Sequence, residues 1–302
     1  MLQHYDDRNR DLIVNIGGEL VHRDQAGVSP FDSTVQNGDA VWEGLRVYEG
    51  RIFRLRAHLD RMRRGAERLA YAGIPPADDI RREIQRTLDA NGMRDGVHIR
   101  LTLSRGLKYT SGLDPRVNTN GCMLIVLAEH KAPVYDKTGL SLITSSWRRP
   151  NEHVLDQKIH SCNQLTSILA KIEANAAGAD DAMLLDSNGC IAETNATHLF
   201  FVIDGVVCTP TTTHCPEGIT RDAVLGLCHS NDIASEIRDI RPDELPGATE
   251  CFCTGTMGEI ASVLQIDGRS VGDGRIGPMT NRISDLFSAL AQSEAEPIVA
   301  SS

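Results

Sequence analysis

Lys158 is the only lysine between Lys137 and Lys171, set in Asp156-Gln-Lys-Ile-His-Ser-Cys-Asn163 just before an apolar run. Alone it reads as a surface charge with its stem laid on apolar neighbours; neutral, the same amine is a nucleophile toward carbonyls. Glu193 leads into the small polar loop Thr194-Asn-Ala-Thr197, and alone it is unremarkable. Arg56 directly follows Ile52-Phe-Arg-Leu55, inside an arginine-rich stretch from Arg51 to Arg68. Most of that stretch reads as a solvated helix face, but a guanidinium at a helix start can also clamp a phosphate through two parallel bonds. Cys215-Pro-Glu-Gly-Ile219-Thr220-Arg-Asp222 places proline and glycine ahead of a helix. Its first N–H groups and the Thr220 hydroxyl then sit at the positive end, either as an anion site or as an ordinary start capped by Thr220. Thr254-Gly-Thr256-Met257-Gly-Glu259 is a second glycine-bounded turn rich in donors. Two such turns in one region suggest a site for several anionic groups.

The eight cysteines are too sparse for a disulfide scaffold, and none has the Cys-x-x-Cys spacing that opens most zinc or redox motifs. His160 with Cys162, and His214 with Cys215, lack third and fourth ligands at usable spacing, so no metal site is expected. Cys251-Phe-Cys253 has strand alternation and reads as core.

The elements that must carry these residues follow from periodicity. Leu12 to Ile16 and Val41 to Tyr48 are dense in β-branched and aromatic residues and end in glycine turns, which predicts strands and hairpins. Leu55, Leu59, Met62, Ala66 and Leu69 recur three or four apart, as do Ile80, Ile84 and Leu88, so two amphipathic helices follow. Strands return at Val97 to Ser104 and Cys122 to Ala128. Proline, glycine and charge interrupt residues 129–139, which reads as a linker between a small N-terminal domain, 1–128, and a larger domain, 140–302. In the larger domain strands are expected at Leu140 to Ser145, Ala182 to Leu185, His198 to Ile203, Ile233 to Ile240 and Glu250 to Thr254. Helices are expected at Gln164 to Ala177, from Thr220, and at Pro278 to Gln292, with a frayed tail over 294–302. The fold class is mixed α/β.

Composition narrows the function. The 302 residues carry 31 lysines and arginines against 41 acids, a formal charge of −10, so a nucleic-acid backbone would be repelled. No apolar stretch reaches membrane-spanning length and the opening residues lack a signal-peptide core, so a cytoplasmic protein is expected.

Taken in order, Val41-Trp42-Glu-Gly-Leu-Arg46, Ile52-Phe-Arg-Leu-Arg56-Ala-His-Leu, Lys158, Glu193-Thr-Asn-Ala-Thr-His-Leu-Phe200, Gly218-Ile-Thr-Arg-Asp222 and Gly255-Thr-Met-Gly-Glu259 resemble the class IV aminotransferases, the fold-type IV pyridoxal-phosphate enzymes. The resemblance spans roughly residues 10–290. His98-Ile-Arg100 and Gly112-Leu-Asp-Pro115 look most similar to the branched-chain members.

The resemblance implies a two-domain fold with the site between the domains, and a homodimer. It implies Lys158 as the lysine that joins pyridoxal phosphate as a Schiff base and later shuttles a proton. Glu193 would lie beside the pyridine nitrogen, and Arg56, Ile219, Thr220 and Thr256 would form the phosphate cup. The Thr256-Met257 turn would meet the α-carboxylate, Arg100 the distal carboxylate of glutamate, and Trp42 would give an apolar wall. The expected reaction passes the amino group of a branched-chain L-amino acid to 2-oxoglutarate. Transaminases of D-amino acids or amines, with Lys108 as an alternative carboxylate trap, are the rival reading on the same fold. A lyase resembling aminodeoxychorismate lyase and a noncatalytic ligand-binding protein are further rivals.

This chain departs from the branched-chain pattern at Asn163, followed by Gln164 where Asn-Tyr is common, and at Asn37 and His98, where tyrosines are common.

Overall fold

The computed structural model describes residues 3–135 and 138–300. Backbone contacts divide the chain into two units. The first comprises residues 3–132, 159–163 and 292–300; the second comprises Pro133–Lys158 and Gln164–Ala291.

The first unit opens with the hairpin β1 (Ile13–Ile16) and β2 (Glu19–His22), then α1 (Ser33–Asn37), β3 (Ala40–Tyr48), β4 (Arg51–Phe53), α2 (Leu55–Arg68), α3 (Ala77–Ala90), β5 (Val97–Ser104) and β6 (Met123–His130). β3 and β5 run antiparallel, with Val41, Glu43, Leu45 and Val47 opposite Leu103, Leu101, Ile99 and Val97. Side chains alternate across a strand, so these residues share one face, and α2 and α3 cover it with Leu55, Leu59, Met62, Ala66, Ile80, Ile84 and Leu88. Trp42, Gly44 and Arg46 therefore fall on the other face with Thr102, Arg100 and His98.

The second unit is built from β7 (Leu140–Arg148), α4 (Leu165–Ala176), β8 (Asp181–Leu185), β9 (Ile191–Thr194), β10 (His198–Ile203), β11 (Val206–Thr209), α5 (Ile219–Ser230), β12 (Ser235–Ile237), β13 (Ala248–Gly255), β14 (Glu259–Ile266), β15 (Arg269–Ser270) and α6 (Pro278–Ser293). Its nine-stranded sheet runs β12-β11-β10-β13-β14-β7-β8-β9, with β15 beside β14. β7 pairs parallel with β8 and β11 parallel with β12, and α4 and α5 supply the crossovers such pairs require. Its core holds Leu140, Leu142, Met183, Leu199, Phe201, Cys251, Cys253 and Val263.

A last strand, β16 (Ala295–Pro297), pairs with β4 and completes the first unit's sheet in the order β16-β4-β3-β5-β6-β1-β2. This corrects the frayed tail expected over 294–302 for residues 295–299; residues 301 and 302 lie outside the described residues. Ala295 lies opposite Phe53, and Ile298 and Val299 enter the core, so apolar burial and strand pairing hold the segment. Residues 159–163 also belong to this unit rather than to a continuous C-terminal domain. Ser161 bridges Val41, and Cys162 N–H donates to the Ala40 carbonyl at 2.8 Å. The strand expected over Ile233 to Ile240 shrinks to three residues, while β11, β14 and β16 go beyond the strands expected. Among the described residues no helix is long and apolar enough to cross a membrane.

Candidate active site

In the second unit Glu193 lies within β9, buried, and its Oε1 meets Arg149 Nε at 2.8 Å. Arg149 follows β7 directly, is itself buried, and donates from a terminal nitrogen to the Thr194 carbonyl at 3.2 Å. A buried carboxylate needs such a partner, because an unpaired charge away from water is strongly unfavourable. Nothing near Arg149 in the sequence marks it, since its partner comes a full helix and strand later.

The loop after Glu193 is tied by its own hydroxyls: Thr194 and Thr197 Oγ1 atoms lie 2.7 Å apart, and Thr197 N–H donates to Thr194 Oγ1. His198 then begins β10 with Nε2 2.7 Å from the Pro216 carbonyl. That contact reaches the loop that starts α5. A Cβ on Gly218 would stand 2.5 Å from His198 Cε1, so glycine is required at this approach.

Gly218, not Thr220, is the N-cap of α5, and no side chain caps it. The amides of the first turn are therefore not claimed by a capping group, while Thr220 is buried in that turn and Ile219 is half-buried. Thr256 and Met257 form the tip of the β13–β14 hairpin, half-buried. Thr197 supports it from one side, 3.0 Å from where a Gly255 Cβ would be, and the Tyr135 ring packs under Gly258. Val134 N–H donates to the Met257 carbonyl at 3.1 Å. Nearby on β13, Thr254 Oγ1 is buried without a hydrogen-bond partner.

Cys215 gathers this region. Burial pushes its thiol well up, Glu193 pushes it further, and Arg221, Arg149 and Lys158 pull it back. Lys158 and Glu193 thus act on one buried point, with Lys158 itself exposed. Glu193, His198 and Cys215 offer ligand atoms within 4.8 Å of one another. A cation there would have to displace the Arg149 guanidinium and break the His198–Pro216 contact.

In the first unit Arg61 is buried while Arg56 is not. Arg56 is exposed, pairs with Asp60 at 2.9 Å, and lines a cleft of about 280 Å³ with Arg63, Pro75 and Asp78. Arg61 makes a two-pronged contact with buried Glu43, at 2.7 and 2.6 Å, and His58 Nδ1 meets the same carboxylate at 2.6 Å. Although burial alone would push Glu43 up, Arg61, His160 and His58 hold it well below the usual carboxylate range.

On the opposite face of β3, Trp42 stacks on His160, ring centroids 4.2 Å apart, and the Arg100 guanidinium lies 3.5 Å over the Trp42 ring. His98 nitrogens and Arg46 Nε and Nη1 are buried there without hydrogen-bond partners. Burial, then Lys131, Arg100 and Arg46, depress the His98 pKa to about 3. Lys108 is buried and donates to the Gly112 carbonyl at 2.6 Å. Asn163 is exposed and donates to the Gly38 carbonyl. Arg46 ends the Val41–Arg46 motif, yet only the register of β3 on β5 sets it beside His98 and Arg100.

Residues 40–266 match the family described as amino-transferase class IV. The chain is 47% identical to the branched-chain-amino-acid aminotransferase-like protein 2 of Arabidopsis thaliana over 96% of its own length and 52% of that protein's. It thus spans about half the length of that relative. It is 31% identical to the branched-chain-amino-acid aminotransferase of Pseudomonas aeruginosa, covering 95% of this chain and 97% of that one. Among solved structures it is similar to the T.th. branched-chain amino acid aminotransferase complexed with N-(5'-phosphopyridoxyl)-L-glutamate, with TM-score 0.86, 33% identity, and coverage of 93% and 95%.

Proposed function

The chain belongs to the class IV aminotransferases, and from that premise we propose that it transfers the amino group of branched-chain L-amino acids to 2-oxoglutarate with pyridoxal phosphate. The observation that carries this reading is the buried Arg149–Glu193 pair next to the uncapped start of α5. The residues fit the cofactor's chemistry: an amine for its aldehyde, a buried anion for its ring nitrogen, and unclaimed amides with the orphaned Thr254 hydroxyl for its phosphate. When bound, pyridoxal phosphate supplies an electron sink for the carbanion formed at the substrate α-carbon.

Lys158 would hold the cofactor and, as a free amine, would move the α-proton as general base and acid. Glu193 would hold a proton at the ring nitrogen, with Arg149 fixing the carboxylate through its 2.8 Å contact. Ile219, Thr220 and Thr256 contribute phosphate donors, and the Thr256–Met257 turn meets the α-carboxylate. In the first unit buried Arg61 is already committed to Glu43 by its two-pronged contact, and Arg56, at the surface, pairs with Asp60. Arg100 takes the distal carboxylate of glutamate or 2-oxoglutarate through a charge-assisted bond. The names of the relatives, branched-chain-amino-acid aminotransferases, support a branched-chain substrate for this chain. A homodimer in the cytoplasm completes the reading, checked by sedimentation at assay concentration.

The test is a half reaction followed by absorbance of the bound cofactor, with borohydride trapping and peptide mapping. L-leucine, L-isoleucine or L-valine should convert the enzyme, 2-oxoglutarate should restore it, and the trapped peptide should contain Lys158. Faster conversion by D-alanine than by every L-amino acid would overturn the substrate; a label on another lysine would overturn the site.

A further inference from the structure

Trp42 is placed less as an apolar wall than as a platform. Its ring carries the Arg100 guanidinium at 3.5 Å and stacks on His160 at 4.2 Å, and its indole N–H donates to the Ser161 carbonyl at 3.1 Å. Its backbone N–H donates to the His160 carbonyl at 3.0 Å, so ring and backbone are both fixed to the segment 159–163. Gly44 sits opposite Arg100 in the β3–β5 register, and a Cβ there would stand 3.6 Å from the Trp42 ring and from His98 Nε2. A terminal nitrogen of Arg100 also reaches Cys162 Sγ at 3.8 Å, so the far end of the guanidinium touches that same segment.

A planar cation over an indole face loses much of its freedom before any ligand arrives, and ordering a long side chain in advance strengthens the bond it makes later. We infer that Trp42 is a positioning residue for Arg100, setting specificity for substrates with a second carboxylate, with His160 fixing the ring from the segment that follows Lys158. This rests on the reading of Arg100 given above. It separates Trp42 from a general hydrophobic lining, which would favour branched side chains and leave dicarboxylates alone. The face of the ring, rather than its volume, is then what matters. Lysine in place of Arg100 keeps the charge but has no plane to stack.

The experiment uses the cofactor-loaded enzyme and two unreactive probes, glutarate and 4-methylpentanoate, titrated by calorimetry alongside steady-state kinetics. Trp42→Leu should weaken glutarate about tenfold and 4-methylpentanoate less than about threefold, raising KM for 2-oxoglutarate while kcat in its presence at saturation holds. Trp42→Phe keeps a ring face and should hold glutarate within about threefold of the parent. Arg100→Lys should lose the same factor as Trp42→Leu, and the double variant should lose little more than either alone. Should Trp42→Leu fail to fold, Trp42→Phe and Arg100→Lys still decide. Equal weakening of both probes by Trp42→Leu, or full glutarate binding by Arg100→Lys, overturns the platform while leaving Arg100 as the carboxylate ligand. Unchanged glutarate binding in Arg100→Ala overturns the Arg100 reading itself, and the platform with it.

Discussion

Two buried carboxylates, Glu43 and Glu193, each face an arginine, and they keep different company. Glu43 has both oxygens in short contacts, with Arg61 in two-pronged fashion and with His58, and both of those partners stand on α2. Glu193 meets Arg149 through Oε1, while its Oε2 stands 4.0 Å from His198 Nε2. Around it are the Cys215 thiol, a hydroxyl-tied loop and the uncapped start of α5 rather than a packed helix. The first pair is a knot that ties α2 to β3; the second stands among loops and a helix end. Burial and an ion pair therefore do not distinguish structure from site; the elements around the pair do.

The largest effect that bears on this contrast is expected at Lys158. Lys158→Ala should abolish borohydride trapping of the cofactor and transamination together, read by absorbance and mass. Retention of both would detach the Glu193 cluster from the chemistry. Next, Glu193→Gln should lower kcat by about 10²–10⁴-fold, with cofactor affinity held within a few-fold by equilibrium titration. A near-normal kcat would make Glu193 a second structural knot.

Glu43→Gln should show the reverse pattern, with a loss of about 3–5 kcal/mol in stability because Arg61 is left buried with a neutral partner. Denaturant unfolding measures it. Because Glu43 is held below its ordinary value of 4.5 in the folded chain, its stabilisation is present above that pH and is lost as pH falls toward its folded value. The parent should weaken steeply below about pH 4.5 and Glu43→Gln less so; identical acid profiles would contradict the knot. The smallest effect is expected at Arg56, where Arg56→Ala should move Tm by less than about 2 °C and leave cofactor affinity unchanged. A tenfold loss of affinity would restore Arg56 to the phosphate site.

Local pattern makes much of the fold legible. α2 and α3 stand where apolar residues recur at helical spacing, and β3 and β5 where β-branched residues crowd. β16 is hidden because Ala295-Glu-Pro has no strand signature of its own; only pairing with β4 makes it one. β14 is hidden because Ser262 and Gln265 interrupt its apolar residues. In the site, Lys158 and Glu193 can be singled out by their place in an ordered set of motifs. Arg149 and Arg61 cannot be separated from other arginines until burial does so. Which of Arg56 and Arg61 is buried turns on which face of α2 meets β3, a matter of helix rotation that five residues of spacing leave open.

The strand that closes the first unit also bears on how the chain is made. Glu296 receives the Arg56 amide across 240 residues of sequence, with the whole second unit between them. On a ribosome the sheet containing β3 and β4 must wait, with the β4 edge unpaired, while that unit is synthesised and folds. Pairing over so long a separation is slow, and a waiting strand edge invites other chains.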